Sequence, residues 1–84
     1  MKSINWRLQR HHISLPTPNP VSWNDIGIHM REYGANYRGV DFSVNDITAA
    51  VRSKDVCLSP GPLWRRRDIL AVLAEAMRRR VRGD

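Results

Sequence analysis

The sequence predicts a mainly α fold: three helices near 22–33, 44–53 and 62–81, preceded by an extended, proline-rich N-terminal arm. Three observations carry this expectation. SWNDIGIHMR (22–31) and SVNDITAAVR (43–52) repeat Ser, Asn, Asp, Ile and Arg in the same places. The segment 63–81 holds apolar residues at helical spacing without interruption. LPTPNP (15–20) sets three prolines at alternate positions, which fixes φ, removes N–H donors and holds the neighbouring residues extended.

Each element has its own justification. Residues 3–15 leave strand and short helix open, because Ile4, Trp6 and Leu8 alternate with Asn5, Arg7 and Gln9. With the proline connector they form an expected arm, 1–21, ahead of one small helical domain, 22–84. Ser22 and Ser43 are each followed three residues later by an acid, Asp25 and Asp46, which is the spacing of a capping box. Behind the first cap Trp23, Ile26, Met30 and Tyr33 form an apolar stripe, and behind the second Val44, Ile47 and Val51 do the same, with Ala50 alongside. Gly34 is expected to end the first helix, and Ser53-Lys54-Asp55 the second. The near-repeat thus has a sufficient cause in two capped amphipathic helices, and two copies are too few for a solenoid.

Val40–Phe42 and Val56–Leu58 are β-friendly runs on either side of the second helix and are expected to pair as a minimal sheet. SPGP (59–62) reads as a turn, with Pro62 in the first turn of the last helix. In that helix Leu63, Leu70 and Met77 recur every seven residues, while Ile69, Leu73, Ala76 and Val81 widen the stripe. The order of elements resembles a winged-helix core in topology alone. The link of about eight or nine residues between the last two helices exceeds the three or four of a helix-turn-helix.

Composition narrows the function. The 84 residues are enough for one small core, but not for a deep two-lobed cleft, so the chain is read as non-enzymatic. Apolar runs are too short for a membrane span, and the N-terminus lacks the apolar stretch of a signal peptide. A lone cysteine, Cys57, cannot form an internal disulfide and is read as a small buried hydrophobe. A cytoplasmic location is expected from these features. His11, His12, His29 and Cys57 show no zinc-ligand spacing and the glycines form no phosphate loop, so neither metal nor cofactor is expected.

Charge is the strongest global signal. Fourteen Lys and Arg face eight acids, for a net charge of +6. Seven arginines fall on the last helix: Arg65, Arg66, Arg67, Arg78, Arg79, Arg80 and Arg82. The terminal group complements the helix dipole, and Glu75 can pair with Arg78 or Arg79. The first group opposes the dipole. With free N–H groups at the helix start, Arg65, Arg66 and Arg67 would form a phosphate or carboxylate site, beside which Trp64 could stack on a base. The leading expectation is a nucleic-acid-binding module, for DNA or RNA, that uses Trp64 and these arginines. The alternative is an inhibitor or adaptor of the kind encoded by phages and mobile elements, which would hold an acidic surface of a host protein complex through Trp6 and Ile28. A homodimer on the 63–70–77 seam is a third reading.

Overall fold

The computed structural model describes residues 12–15 and 22–83. Its elements in chain order are β1 (Ile13–Ser14), α1 (Trp23–Tyr33), β2 (Ala35–Tyr37), β3 (Val40–Phe42), α2 (Val44–Arg52) and α3 (Arg66–Arg82). The fold is mainly α, with a small antiparallel sheet in the order β1-β2-β3.

The two Ser caps form where the sequence places them. Ser22 Oγ accepts from the Asp25 N–H at 3.1 Å. At α2 the box is reciprocal: Ser43 Oγ accepts from the Asp46 N–H at 3.2 Å, and Asp46 Oδ2 accepts from the Ser43 N–H at 3.0 Å. Gly34 closes α1 at φ 84°, and its N–H returns to the Met30 carbonyl at 2.8 Å. A Cβ there would lie 2.4 Å from the Phe42 carbonyl oxygen, so this joint between helix and sheet requires glycine.

The sheet differs from expectation. Val40–Phe42 pairs with Ala35–Tyr37, not with residues 56–58. The two strands meet across a two-residue turn in which Arg38 and Gly39 both have positive φ, 54° and 85°. That is the primed geometry whose twist matches a hairpin. Asn36 steadies it, accepting the Gly39 N–H at 3.1 Å through Oδ1 and donating to Asp41 Oδ1 at 2.8 Å. β1 adds on the other edge of β2, pairing Ile13 with Tyr37 and Ser14 with Asn36. Ile13 is fully buried, so part of the expected arm belongs to the domain. Trp6, His11 and the prolines at 16, 18 and 20 lie outside the described residues.

Residues 56–58 run beside the core as a loop. Val56 and Leu58 are half-buried, and Cys57 between them points outward, correcting its reading as a buried hydrophobe. The link between α2 and α3 covers 53–65, longer than the sequence suggested and without the tight turn of a helix-turn-helix.

The core joins Ile26 and Met30 of α1, Ile47 and Ala50 of α2, Ile69, Val72, Leu73 and Ala76 of α3, Ile13 and Ala35 and Phe42 of the sheet, and Trp64. Several stripe ends fall outside it. Tyr33, Val44 and Val81 are exposed, each at the last or first turn of its helix, where the core has curved away. The 63–70–77 seam also dissolves: Leu63 precedes the helix and is 62% exposed, while Leu70 and Met77 pack half-buried on the domain's own core. That removes the basis for a homodimer on this seam.

Candidate nucleic-acid interface on the last helix

α3 begins at Arg66, not at Pro62. The reason is Trp64. An extended approach drops its ring into the core, leaving it 7% exposed. One stripe of α1 receives it. Asn24 Oδ1 accepts the Trp64 N–H at 3.0 Å, Gly27 lies against the ring, and the Arg31 guanidinium sits 4.2 Å over its centroid. Arg31 is held there by its own bond to the Gly27 carbonyl at 3.1 Å. Trp64 therefore cannot stack on a base as the sequence suggested, since both of its faces are covered.

Asp68 also corrects an expectation. Its carboxylate is 1% exposed and turns back to the helix start. Oδ2 accepts the Arg65 N–H and Oδ1 the Ser59 N–H, both at 2.8 Å. Burial alone would raise its pKa, but these backbone donors, the Ser59 hydroxyl and the Arg67 charge outweigh it, so the group stays ionised below the ordinary value. The expected anion at this helix start is thus the protein's own carboxylate. Arg67 adds a bond from Nε to Ser59 Oγ at 3.0 Å and remains exposed, as do Arg65 and Arg66.

The terminal cluster divides by direction. Arg78 donates through Nε and Nη2 to Glu75 Oε1, while Ser53 Oγ donates to Glu75 Oε2 at 2.9 Å. Glu75 is 1% exposed, and these donors, Arg78 first, hold its pKa below the ordinary value against the effect of burial. Arg80 turns toward the sheet. Its Nη2 donates to the Asp41 carbonyl at 2.8 Å and to Asp46 Oδ2 at 3.3 Å, with the guanidinium 5.3 Å from the Phe42 ring centre. Asp46 is held below the usual range mainly by the Ser43 N–H, with Arg80 assisting. Arg79 lines a shallow cavity of about 180 Å³ with Arg80, Asp46, Ala49 and Ala76. Arg82 is exposed at the helix end.

The structure therefore splits the seven arginines. Arg78 and Arg80 carry internal ion pairs first. Arg65, Arg66 and Arg67 present charge outward, Arg82 is exposed while its charge also acts on Glu75, and Arg79 is half-buried. α3 is long enough that its two arginine groups stand apart, about 20 Å from start to end at 1.5 Å per residue. Ile28 is 37% exposed, as its angle off the α1 stripe implies.

Burial of Asp68 and Glu75 is the feature that the sequence reading missed. Positions 68, 72 and 75 share one helical flank, and Val72 on it is fully buried; that spacing was the available signal. Among the described residues no buried side-chain nitrogen or oxygen lacks a partner. Among them no helix is long and apolar enough to cross a membrane, and no three His, Cys, Asp or Glu side chains come together as a metal site. No protein-family model matches this chain, and neither a curated protein nor a solved structure matches it.

Proposed function

We propose that this chain is a small, non-enzymatic binding module that docks on nucleic acid through the exposed arginines of α3. One observation supports the reading above the rest. Both acids of α3, Asp68 and Glu75, are turned inward and satisfied internally. The helix's outward surface consequently shows no carboxylate of its own near its start, where Arg66 and Arg67 are exposed with Arg65 just ahead, while Arg78 and Arg82 are exposed beside Glu75 at the other end. Such a surface attracts polyphosphate, and the guanidinium fork suits phosphate oxygens. The proposal needs neither a stacking Trp64 nor a helix-turn-helix.

The test is the joint variant Arg65→Ala, Arg66→Ala and Arg67→Ala, followed by fluorescence anisotropy against DNA and RNA over a salt series. None of these side chains is buried, so the fold should survive. Wild-type affinity should fall steeply with salt. The slope of log K against log salt should flatten in the variant by roughly 2.7 for three lost duplex-phosphate contacts. An unchanged slope would overturn the role of these arginines. No binding by the wild type at low salt would overturn the proposal and leave an acidic protein surface as the partner.

A further inference from the structure

We infer that the outward face of α3 docks on B-form duplex DNA, in the major groove, and reads its backbone more than its bases; the inference rests on the nucleic-acid reading above. It goes further by selecting among the possible nucleic acids. Three features of the face make the selection.

The first is its layout. Arg67 and Arg78 are eleven residues apart, which places them within about 20° of each other around the helix and about 16 Å apart along it. Ala71 and Ala74 lie between them on the same side, and Arg82 continues the line one turn beyond Arg78. Small side chains in the middle let the helix backbone sink close to a partner, while exposed arginines stand at both ends, Arg78 among them although it pairs with Glu75. The major groove of B-DNA is about 12 Å wide and is flanked by phosphates on both strands. With α3 crossing the groove, Arg67 and Arg78, about 16 Å apart along the helix, would stand over its two phosphate walls and Ala71 and Ala74 over its floor. A-form RNA offers a deep, narrow major groove that does not admit this face.

The second feature is the position of the aromatics. Single-strand binders stack bases on exposed aromatic side chains. Residues 65–82 contain no aromatic, and Trp64, just ahead of them, is sealed between Gly27 and Arg31. Phe42, near the other end, is buried beneath Arg80. Bases freed from a duplex would find no platform here.

The third is the narrow set of base readers, which is arginine alone. Between Arg66 and Arg82 the exposed and half-buried side chains are Arg, Leu, Ala, Met and Val. None is an Asn or Gln that could take adenine in bidentate fashion, and the acids that could read cytosine are buried. Arginine, which can take guanine in bidentate fashion, is the one polar reader left, so any sequence preference should be confined to G·C pairs.

The experiment uses the full chain and fluorescence anisotropy at fixed low salt. The probes are a mixed-sequence DNA duplex of about two turns, roughly 20 base pairs, each of its strands alone, and the RNA duplex of the same sequence. Ala74→Leu raises the floor of the face without changing charge, and circular dichroism verifies its helix content. The duplex should bind on the order of tenfold tighter than a single strand or RNA duplex, and Ala74→Leu should remove that margin. A scrambled duplex should bind like the first. Equal or tighter binding of single strands or RNA, or an Ala74→Leu protein that keeps full duplex affinity, would overturn the inference. If in that case the triple arginine variant still abolishes binding, the broader nucleic-acid reading stands. If no nucleic acid binds, both fall.

Discussion

Gly27→Ala tests the central packing claim of this fold. In an exposed helix interior the change would stabilise by about 1 kcal/mol, because alanine loses less backbone entropy. Here the added Cβ would lie 2.7 Å from Trp64 Cε3, 3.2 Å from Trp64 Cδ2 and 3.1 Å from Ile69 Cδ1. The ring has little room to retreat. Its backbone is held by Asn24, Arg31 covers the ring, and Ile69 is 0% exposed. Overpacking of this kind costs about 1–3 kcal/mol. With contact closer than any real Cβ tolerates, the upper part of that range applies, leaving a net loss of about 1–2 kcal/mol after the helix gain. For a domain this size each 1 kcal/mol moves Tm by about 4–8 °C. The assay is urea and thermal unfolding followed by far-UV circular dichroism, with Trp64→Phe and the double variant completing a cycle. The smaller ring relieves the clash, so the double variant should be no less stable than Trp64→Phe alone. A Gly27→Ala protein as stable as wild type, or a strictly additive cycle, would refute the seating of Trp64 on α1.

Two further outcomes follow from the caps and the inward carboxylates. Ser43→Ala removes the hydroxyl that accepts the Asp46 N–H, while the backbone N–H bond to Asp46 Oδ2 is kept, and should destabilise by about 1 kcal/mol, measured by urea unfolding. Asp46, Asp68 and Glu75 all have folded pKa values below their ordinary 3.8, 3.8 and 4.5. Groups shifted this way add stability that is complete above the unfolded values and is lost as pH falls through the lowered, folded ones. Stability should thus be flat from neutral pH down to about 5 and fall progressively below about 4.5. Glu75→Gln should soften that acid limb, and an unaltered limb would argue against the Ser53–Glu75–Arg78 arrangement.

What the sequence made legible was local. Ser22 and Ser43 announce their helices because a cap and its partner lie three residues apart, and Gly34 stops α1 because its constraint is a matter of its own φ. What it hid depends on remote partners. Val56 and Leu58 alternate around Cys57 as a strand would, but alternation reports half-burial and not pairing, and a loop against the core satisfies it equally. Ala35–Tyr37 carries too little β signal to be found without its partner strands, and β1 joins it from more than twenty residues away. Pro62 is a sound cue for a first helical turn, yet the need to bury Trp64 on α1 delays the helix to Arg66. For the site, the arginines were visible and their division was not. Which of them is outward depends on where Glu75 and Asp46 sit, and burial of a carboxylate is a tertiary fact.

The repeated Asp-Ile pair resolves on the same ground. Asp25-Ile26, Asp46-Ile47 and Asp68-Ile69 each occupy the third and fourth positions of their helices. In every case Ile is a core residue, 4%, 0% and 0% exposed. At two of the starts the Asp N–H meets a Ser hydroxyl; at the third, Arg65 has no acceptor side chain, and the Asp68 carboxylate takes the Arg65 and Ser59 N–H groups instead. The pair is a way of starting a helix on the core, used three times, and implies no duplicated function. It also bears on charge. Asp46 and Asp68 answer backbone donors at their caps, Glu75 answers Ser53 and Arg78, and Asp41 answers Asn36 in the hairpin, so at least four of the eight acids are engaged in holding the fold. A chain that commits its acids to its own joints shows the outside a surface more basic than its composition states. Of the arginines of α3, Arg65 and Arg66 gain most from that arrangement, because Asp68 is turned inward to backbone donors and Glu75 is taken by Ser53 and Arg78.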